Sequence, residues 1–191
     1  MASPIMYIIG NWIEAIGATI AAMGVSIEIQ DSTDGKKTRI VGDAVQGIGN
    51  FMIAEAEVED RLAEVGNIIQ GIASSGNAAI AYRELKMDDD LNHQLEVISD
   101  AVQAFGSYIT AIARSDDNPP KAFGNGIQSF GAIIEASGVL NKLYSNEEKG
   151  DHLRSVGKWI QAIGTIIQAL AVTPGLEHLV DIFRTQENTD D

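Results

Sequence analysis

The sequence contains no cysteine and few proline, aromatic or basic residues. The absence of cysteine excludes disulfides and thiolate chemistry, but it does not identify a compartment. Lys and Arg number 13 against 27 Asp and Glu, which gives a formal net charge of −14. Phosphate binding needs clustered basic side chains, and the longest basic run is Lys36–Lys37, so the composition argues against a nucleic-acid partner. The same charge disfavours adhesion to anionic lipid surfaces.

Long apolar runs are missing as well. The two longest charge-free stretches, 65–82 and 159–176, each span 18 residues and contain Gln and Gly, and the second contains Pro174. Stretches near the minimum spanning length with this polar content do not predict transmembrane helices. The N-terminus has no basic segment and reaches Glu14 too early for a secretion signal. We therefore predict a soluble, cytoplasmic protein, and these features argue against a membrane role.

The chain does contain one phrase repeated six times. It is clearest in "GNWIEAIGATIAA" and "GKWIQAIGTIIQA" near the two ends, and the copies begin at Gly10, Gly42, Gly66, Ser99, Gly124 and Gly157. Successive copies start 32, 24, 33, 25 and 33 residues apart, so the true unit is a pair that repeats every 56 to 58 residues. The chain is therefore three tandem pairs.

The columns of this repeat indicate helices. When the first residue of each copy is offset 0, bulky apolar residues occupy offsets 3, 6 and 10, which share one side of a helix and not one face of a strand. Offsets 0, 5, 7 and 12 are almost always Gly, Ala or Ser. A glycine inside a helix costs about 1 kcal/mol relative to alanine, so its repeated use predicts close contact between helices. Offsets 1, 5, 8 and 12 lie on the side of the helix opposite the bulky stripe. In a simple bundle this side would be exposed to solvent.

The predicted fold is all-α: one domain over residues 1–183, a six-helix bundle of three antiparallel hairpins at about 4–58, 60–114 and 120–183. The helices are expected to contain about 20 to 25 residues. Polar turns are expected at Asp34–Gly35, Asp88–Asp90 and Gly150–Asp151, and Pro119–Pro120 breaks the chain between hairpins. Residues 57–65 contain no breaker, so a continuous helix and a turn near Glu59–Asp60 both stay open. A closed bundle and an open array also stay open, and residues 184–191 are predicted to be a disordered acidic tail.

No catalytic, cofactor-binding or metal site is predicted, and the protein is expected not to be an enzyme. His93, His152 and His178 fall in connectors or near the end without metal-ligand spacing, and "DSTDGK" at 31–36 lacks the carboxylates of a calcium loop. The one repeated polar column is offset 4, occupied by Glu14, Gln46, Gln70, Gln103, Gln128 and Gln161. The favoured interpretation is a boundary residue whose amide reaches water, and the alternative is a polar layer that lines a cleft or channel.

The phrase "WIQAIGTIIQAL" resembles the tandem "WIQAIGT" phrases of small, repetitive, all-helical proteins of bacilli that have no assigned function. The resemblance covers all six copies, is closest in the first and last, and is loose in 66–78. It implies a bacterial, cytoplasmic helical protein, and it brings no catalytic residues or cofactor with it.

The function predicted from these features is a structural or interaction module that associates with itself, most simply as a homodimer. The first and last helices, which carry Trp12 and Trp159, are the expected exposed edges at which two copies meet. The competing interpretation is that these two helices pack on each other and close the ring within one chain. Two further functions stay open: a membrane-active, pore-forming-like helical protein, and a carrier of an apolar ligand between its helices.

Overall fold

The computed structural model describes residues 3–87 and 89–183. Its elements are α1 (Pro4–Glu28), α2 (Ser32–Ala56), α3 (Arg61–Glu84), α4 (Asp90–Ala113), α5 (Pro119–Tyr144), α6 (Glu147–Ala171) and a closing 3-10 helix, Glu177–Phe183. The predicted all-α fold of three helical hairpins is confirmed. The tail predicted to be disordered, 184–191, lies outside the described residues.

Short capping side chains determine where the helices begin. The Asp60 carboxylate accepts the N–H groups of Leu62 and Ala63 at the start of α3. The open question at residues 57–65 is thereby resolved, because a turn separates α2 from α3. Asp89 caps α4 as the acidic turn predicts, and the hydrogen bond from Arg83 holds the pKa of Asp89 below its usual range.

Two predicted turn centres are wrong. Asp34–Gly35 and Gly150–Asp151 lie inside the first turns of α2 and α6. These helices begin earlier because Asp31 and Asn146 accept backbone N–H groups at their N-termini. A polar cluster at a helix start therefore extended the helix, although in the sequence it looked like a break.

The six helices form a closed ring. Each helix packs on the next one along the chain, and α6 packs on α1. Several hydrogen bonds close the ring: among them, Trp12 Nε1 donates to Thr173 Oγ1, just after α6, at 2.9 Å, and Trp159 Nε1 donates to Ser26 Oγ at 2.9 Å. The two tryptophans thus help to close the ring, so the prediction that they mark exposed edge helices is wrong. The homodimer itself stays a prediction.

Glycines at seven-residue spacing pack the first and third hairpins at short range. Gly10, Gly17 and Gly24 of α1 face Gly49, Gly42 and Gly35 of α2, and the same arrangement joins α5 to α6. A β-carbon on Gly131 would lie 2.7 Å from both the backbone nitrogen of Gln161 and the carbonyl oxygen of Gly157. Real β-carbons do not approach backbone this closely, so the prediction that small residues lie at helix contacts is confirmed.

The bulky stripe faces outward, contrary to what a bundle in water requires. At offset 6 the side chains are between 51 and 59% exposed: Ile16, Ile48, Ile72, Phe105, Phe130 and Ile163. The side of each helix expected to face solvent is instead turned inward, and among the described residues the buried apolar cluster consists of three alanines, Ala18, Ala22 and Ala162. Periodicity locates a stripe on a helix but does not say which medium the stripe faces.

Candidate functional site: the polar interior

The offset-4 column lies on the axis of the ring. Its six side chains, Glu14, Gln46, Gln70, Gln103, Gln128 and Gln161, are each 0 or 1% exposed. The interpretation that these amides reach water is therefore wrong. Their position matches the alternative interpretation, an internal polar layer. The small residues on either side allow the helices to pack closely, and the polar side chains point inward.

A second polar column at offset 1 was missed by sequence reasoning. It comprises Asn11, Asp43, Asn67, Asp100, Asn125 and Lys158, all of them buried. The signal was present, because this column is polar in every copy and lies on the same side of the helix as offset 4. Together the two columns give each helix a continuous polar inner face.

Two arginines anchor a buried charge cluster at the lower end of the ring, where α1, α3 and α5 end. Arg39 contacts Glu28 at 2.9 Å, Glu96 at 2.6 Å, and Glu84. Arg154 contacts Glu28 at 2.8 Å and Glu96 at 2.6 Å. These residues, Glu28, Arg39, Glu84, Glu96 and Arg154, form the lower cluster, which ties together five of the helices: α1, α2, α3, α4 and α6.

The middle of the interior contains a lysine between two carboxylates. Lys158 Nζ lies 3.1 Å from Asp43 Oδ1 and 3.3 Å from Glu135 Oε2. Gln161 also donates a hydrogen bond to Glu135, and Asn77 donates to Asp100 at 2.9 Å. The buried charges here are paired or hydrogen-bonded, which is the condition under which a protein interior accepts them.

At the upper end, where α1, α3 and α5 begin, a smaller set of charges surrounds Lys121. Its Nζ donates to the Tyr7 hydroxyl at 2.6 Å and contacts Glu57 at 3.1 Å, and Arg114 contacts Glu57 at 3.0 Å. Tyr7, Glu57, Arg114 and Lys121 form the upper cluster. Lys121 also lies 4.2 Å from the centre of the Tyr7 ring, a cation–π distance.

Each end of the ring has a cavity that reaches its charge cluster. The upper cavity has a volume of about 550 Å³, and its lining includes Tyr7, Glu57 and Arg114. The lower cavity has a volume of about 270 Å³, and its lining includes Glu28 and Arg154. Both charge clusters are therefore accessible from the ends of the bundle.

The three histidines do not form a common site. His93 lies on α4 and not in a connector, half-buried with Nδ1 3.8 Å from Glu84 Oε1, whereas His152 on α6 and His178 in the 3-10 helix are exposed. Ligand atoms of Glu84, His93 and Glu96 lie within 4.8 Å of one another. Because Glu84 and Glu96 already contact arginine side chains, this geometry by itself does not indicate a metal.

Comparison with known proteins identifies a family for this chain but no individual relative. Residues 5–169 match the sequence profile of a family of unknown function, DUF6944. No curated protein and no solved structure matches the chain. The match covers all six helices, so the closed ring and its polar interior lie within the region that defines the family. The chain belongs to this family of unknown function, DUF6944.

Proposed function

We propose that this protein is a non-enzymatic helical module embedded in a lipid bilayer, with lipid against its outer face. The observation that carries the proposal is a charge-free apolar belt around the whole ring. We define the apolar belt by the outward-facing residues within six stretches: 4–27, 38–54, 65–82, 91–113, 119–141 and 155–171. Every Asp, Glu, Lys or Arg in these stretches is buried in the interior: Glu14, Arg39, Asp43, Glu96, Asp100, Lys121, Glu135 and Lys158.

The length of the belt fits a bilayer. Its shortest stretches, 38–54 and 155–171, extend for about 25 Å at 1.5 Å per residue, close to the thickness of a hydrocarbon core. Charged residues such as Lys37, Glu55 and Arg61 return on the outer surface where the stretches end. A protein in water does not normally expose an apolar surface of this extent.

The belt encircles the ring, which distinguishes lipid from other partners. A second copy in a homodimer would cover only one side, whereas all six helices present bulky side chains at their middles. The apolar-carrier hypothesis has less support, because the described interior is lined by polar side chains. An apolar groove of about 290 Å³ between α1 and α6, lined by Trp12, Ile16 and Ile166 among others, opens outward and is suited to an acyl chain.

Hydropathy averaged over a helix hides this arrangement. Among the described helices, α1 is the one long and apolar enough to cross a membrane by composition, which is weak evidence because a buried core helix passes the same test. The other helices combine a polar inner face with an apolar outer face, so their averages are low. In a membrane protein, the polar side chains that do occur face the interior of the helix bundle, as they do here. The proposal therefore replaces the expectation of a soluble cytoplasmic protein.

Flotation with neutral phosphatidylcholine vesicles tests the proposal. Purified protein is expected to float with the vesicles and to remain with them after a carbonate wash, because the belt and not surface charge holds it there. Protein that stays monodisperse in detergent-free buffer and does not float would overturn the proposal. A mass near 20.4 kDa would then indicate a monomer, and twice that mass the homodimer.

A matched pair of lysine substitutions tests the belt itself. Ile72→Lys places a charge at the middle of α3, where a lysine costs about 2.5–3.5 kcal/mol in a membrane-spanning helix. We expect this variant to lose most of its vesicle-bound fraction. Ser32→Lys, on the exposed first turn of α2, should float like the unmodified protein. Equal flotation of the two variants would contradict the assignment of the belt.

A further inference from the structure

We infer that the polar interior conducts protons between the two ends of the ring, with the Glu14 carboxyl as its central relay. This inference rests on the proposed membrane location, since a path between two ends matters only when a barrier separates them. Titratable side chains inside a membrane are rare, and chains of them are how proton relays are built.

Both mouths of the path offer protonatable groups to water. The upper cavity is lined by Tyr7 and Glu57, and the lower cavity by Glu28 and Glu84. From the lower cluster the carboxylates continue inward, because oxygens of Glu96, Asp100 and Glu135 lie within 4.8 Å of one another. Protonatable groups therefore extend from the lower mouth to the middle of the interior.

Glu14 lies between the middle of the interior and the upper cluster. Its Oε1 accepts a hydrogen bond from Gln128 Nε2 at 2.8 Å, and Gln128 Oε1 accepts one from Gln168 at 2.7 Å. Its Oε2 accepts no hydrogen bond of normal geometry among the described residues, although the residue is 1% exposed and the Asn50 amide lies near enough to lower the pKa of the carboxyl. A buried polar oxygen in this state is a place where water binds.

No cation pairs with Glu14 within the described part of the chain, since no Lys, Arg or His nitrogen lies within 4.0 Å of its carboxyl. Lys121 on α5 and Glu57 after α2 act on Glu14 electrostatically without contacting it. Asp43 on α2 and Lys158 on α6 pair with each other nearer the lower end. Glu14 can therefore gain and lose a proton without breaking an ion pair.

Two carboxamides of the offset-4 column, Gln46 and Gln103, are buried in the same interior as Glu14. In Gln46 and Gln103 both the amide nitrogen and the amide oxygen lack a partner among the described residues, and both side chains are 0% exposed. Leaving an amide unpaired costs several kcal/mol, so bound water is the physical remedy. Such water would accept a proton from Glu14 as a second water delivers one to Oε2, which returns the carboxyl to its starting state.

The repeat supplies the substitution that tests the relay. Five of the six copies have Gln at the offset-4 position, so Glu14→Gln installs the side chain that the fold already accommodates at its equivalents. The change removes the titratable proton and keeps the size and hydrogen-bonding capacity of the side chain. Glu55→Gln is the matched control, because Glu55 is an exposed carboxylate at the end of α2.

The experiment measures proton entry into phosphatidylcholine vesicles that contain pyranine, driven by a potassium gradient with valinomycin. We expect proton entry with the unmodified protein and with Glu55→Gln, and at least about a tenfold slower rate with Glu14→Gln, as for loss of an intramembrane relay. Gln103→Leu should also slow entry, because it removes the water-binding amide. Flotation and circular dichroism on the same samples verify insertion and folding.

The outcomes separate the path from the membrane location. Protein that fails to float overturns the proposed function and the path together. Protein that floats and is helical but conducts no faster than empty vesicles overturns the path alone, as does a Glu14→Gln variant that conducts at the normal rate. Release of trapped carboxyfluorescein would also overturn it, because an interior filled by side chains does not pass a dye.

Discussion

Replacing Arg39 by methionine is expected to destabilise the bundle by about 3–5 kcal/mol, which is the usual cost of removing one partner of a buried ion pair. The guanidinium is 1% exposed and contacts Glu28, Glu84 and Glu96. Without it, Arg154 still contacts Glu28 and Glu96, but Glu84 loses its arginine partner. Because the lower cluster joins five helices, the loss should appear as a cooperative decrease in the thermal midpoint followed by far-UV circular dichroism in mild detergent.

Lys37→Met is the control for this substitution. Lys37 lies two residues away and pairs with Asp34 at 2.9 Å, but the side chains are 60% and 67% exposed. Exposed pairs of this kind contribute about 0–1 kcal/mol, so the control should melt close to the unmodified protein. Arg39→Lys should fall between the two, because it keeps the charge but cannot reproduce the planar fork of donors. A normal midpoint for Arg39→Met would mean that the lower cluster does not hold the ring together.

Replacing Gly131 by leucine is the second large effect, expected at or above the upper end of the 1–3 kcal/mol that overpacking usually costs. Its first added atom would lie 2.7 Å from the backbone of α6, and backbone cannot rotate away as a side chain can. The α5–α6 hairpin would have to separate along its length. We expect either a large decrease in the free energy of unfolding or failure to accumulate as folded protein.

Gly126 provides the matched control on the same helix. A β-carbon on Gly126 would meet nothing within 4 Å. Gly126→Leu should therefore be neutral or stabilising by about 0.5–1 kcal/mol, because leucine is the better helix former. The two glycines are five residues apart, so the pair compares one chemical change on opposite faces. Equal melting of the two variants would show that the contact between α5 and α6 is looser than the structure has it.

The helices could be predicted because each signal for them is local. The 3.6-residue periodicity, the capping Asp89 and the break at Pro119–Pro120 all act within a few residues, and they fixed the order and number of the elements. The turns at Asp34–Gly35 and Gly150–Asp151 were misplaced for the same local reason. Polar side chains at a helix N-terminus and in a turn have similar composition.

The polar interior could not be predicted, because its contacts join residues that are far apart in the sequence. Arg39 and Glu96 are 57 residues apart in sequence, and nothing near either residue indicates the other. Each helix carries two continuous stripes, one of bulky apolar residues and one of small and polar residues. To assign the bulky stripe to the core is to assume that the protein is surrounded by water. The small residues of this second stripe were the available warning, since a water-facing stripe normally carries Lys and Glu and few glycines.

Because the ring is closed through Trp12 and Trp159, the chain could begin at a different hairpin and still form the same ring. The start of α1 and the end of α6 both lie at the upper end, and these two helices pack on each other, although less extensively than the helices within each hairpin. A gene that begins at α5 and joins the end of α6 to the start of α1 by a short linker would encode the same circle of helices. The architecture is therefore compatible with circular permutation at the connector 114–118, which would leave the closed ring of six helices intact.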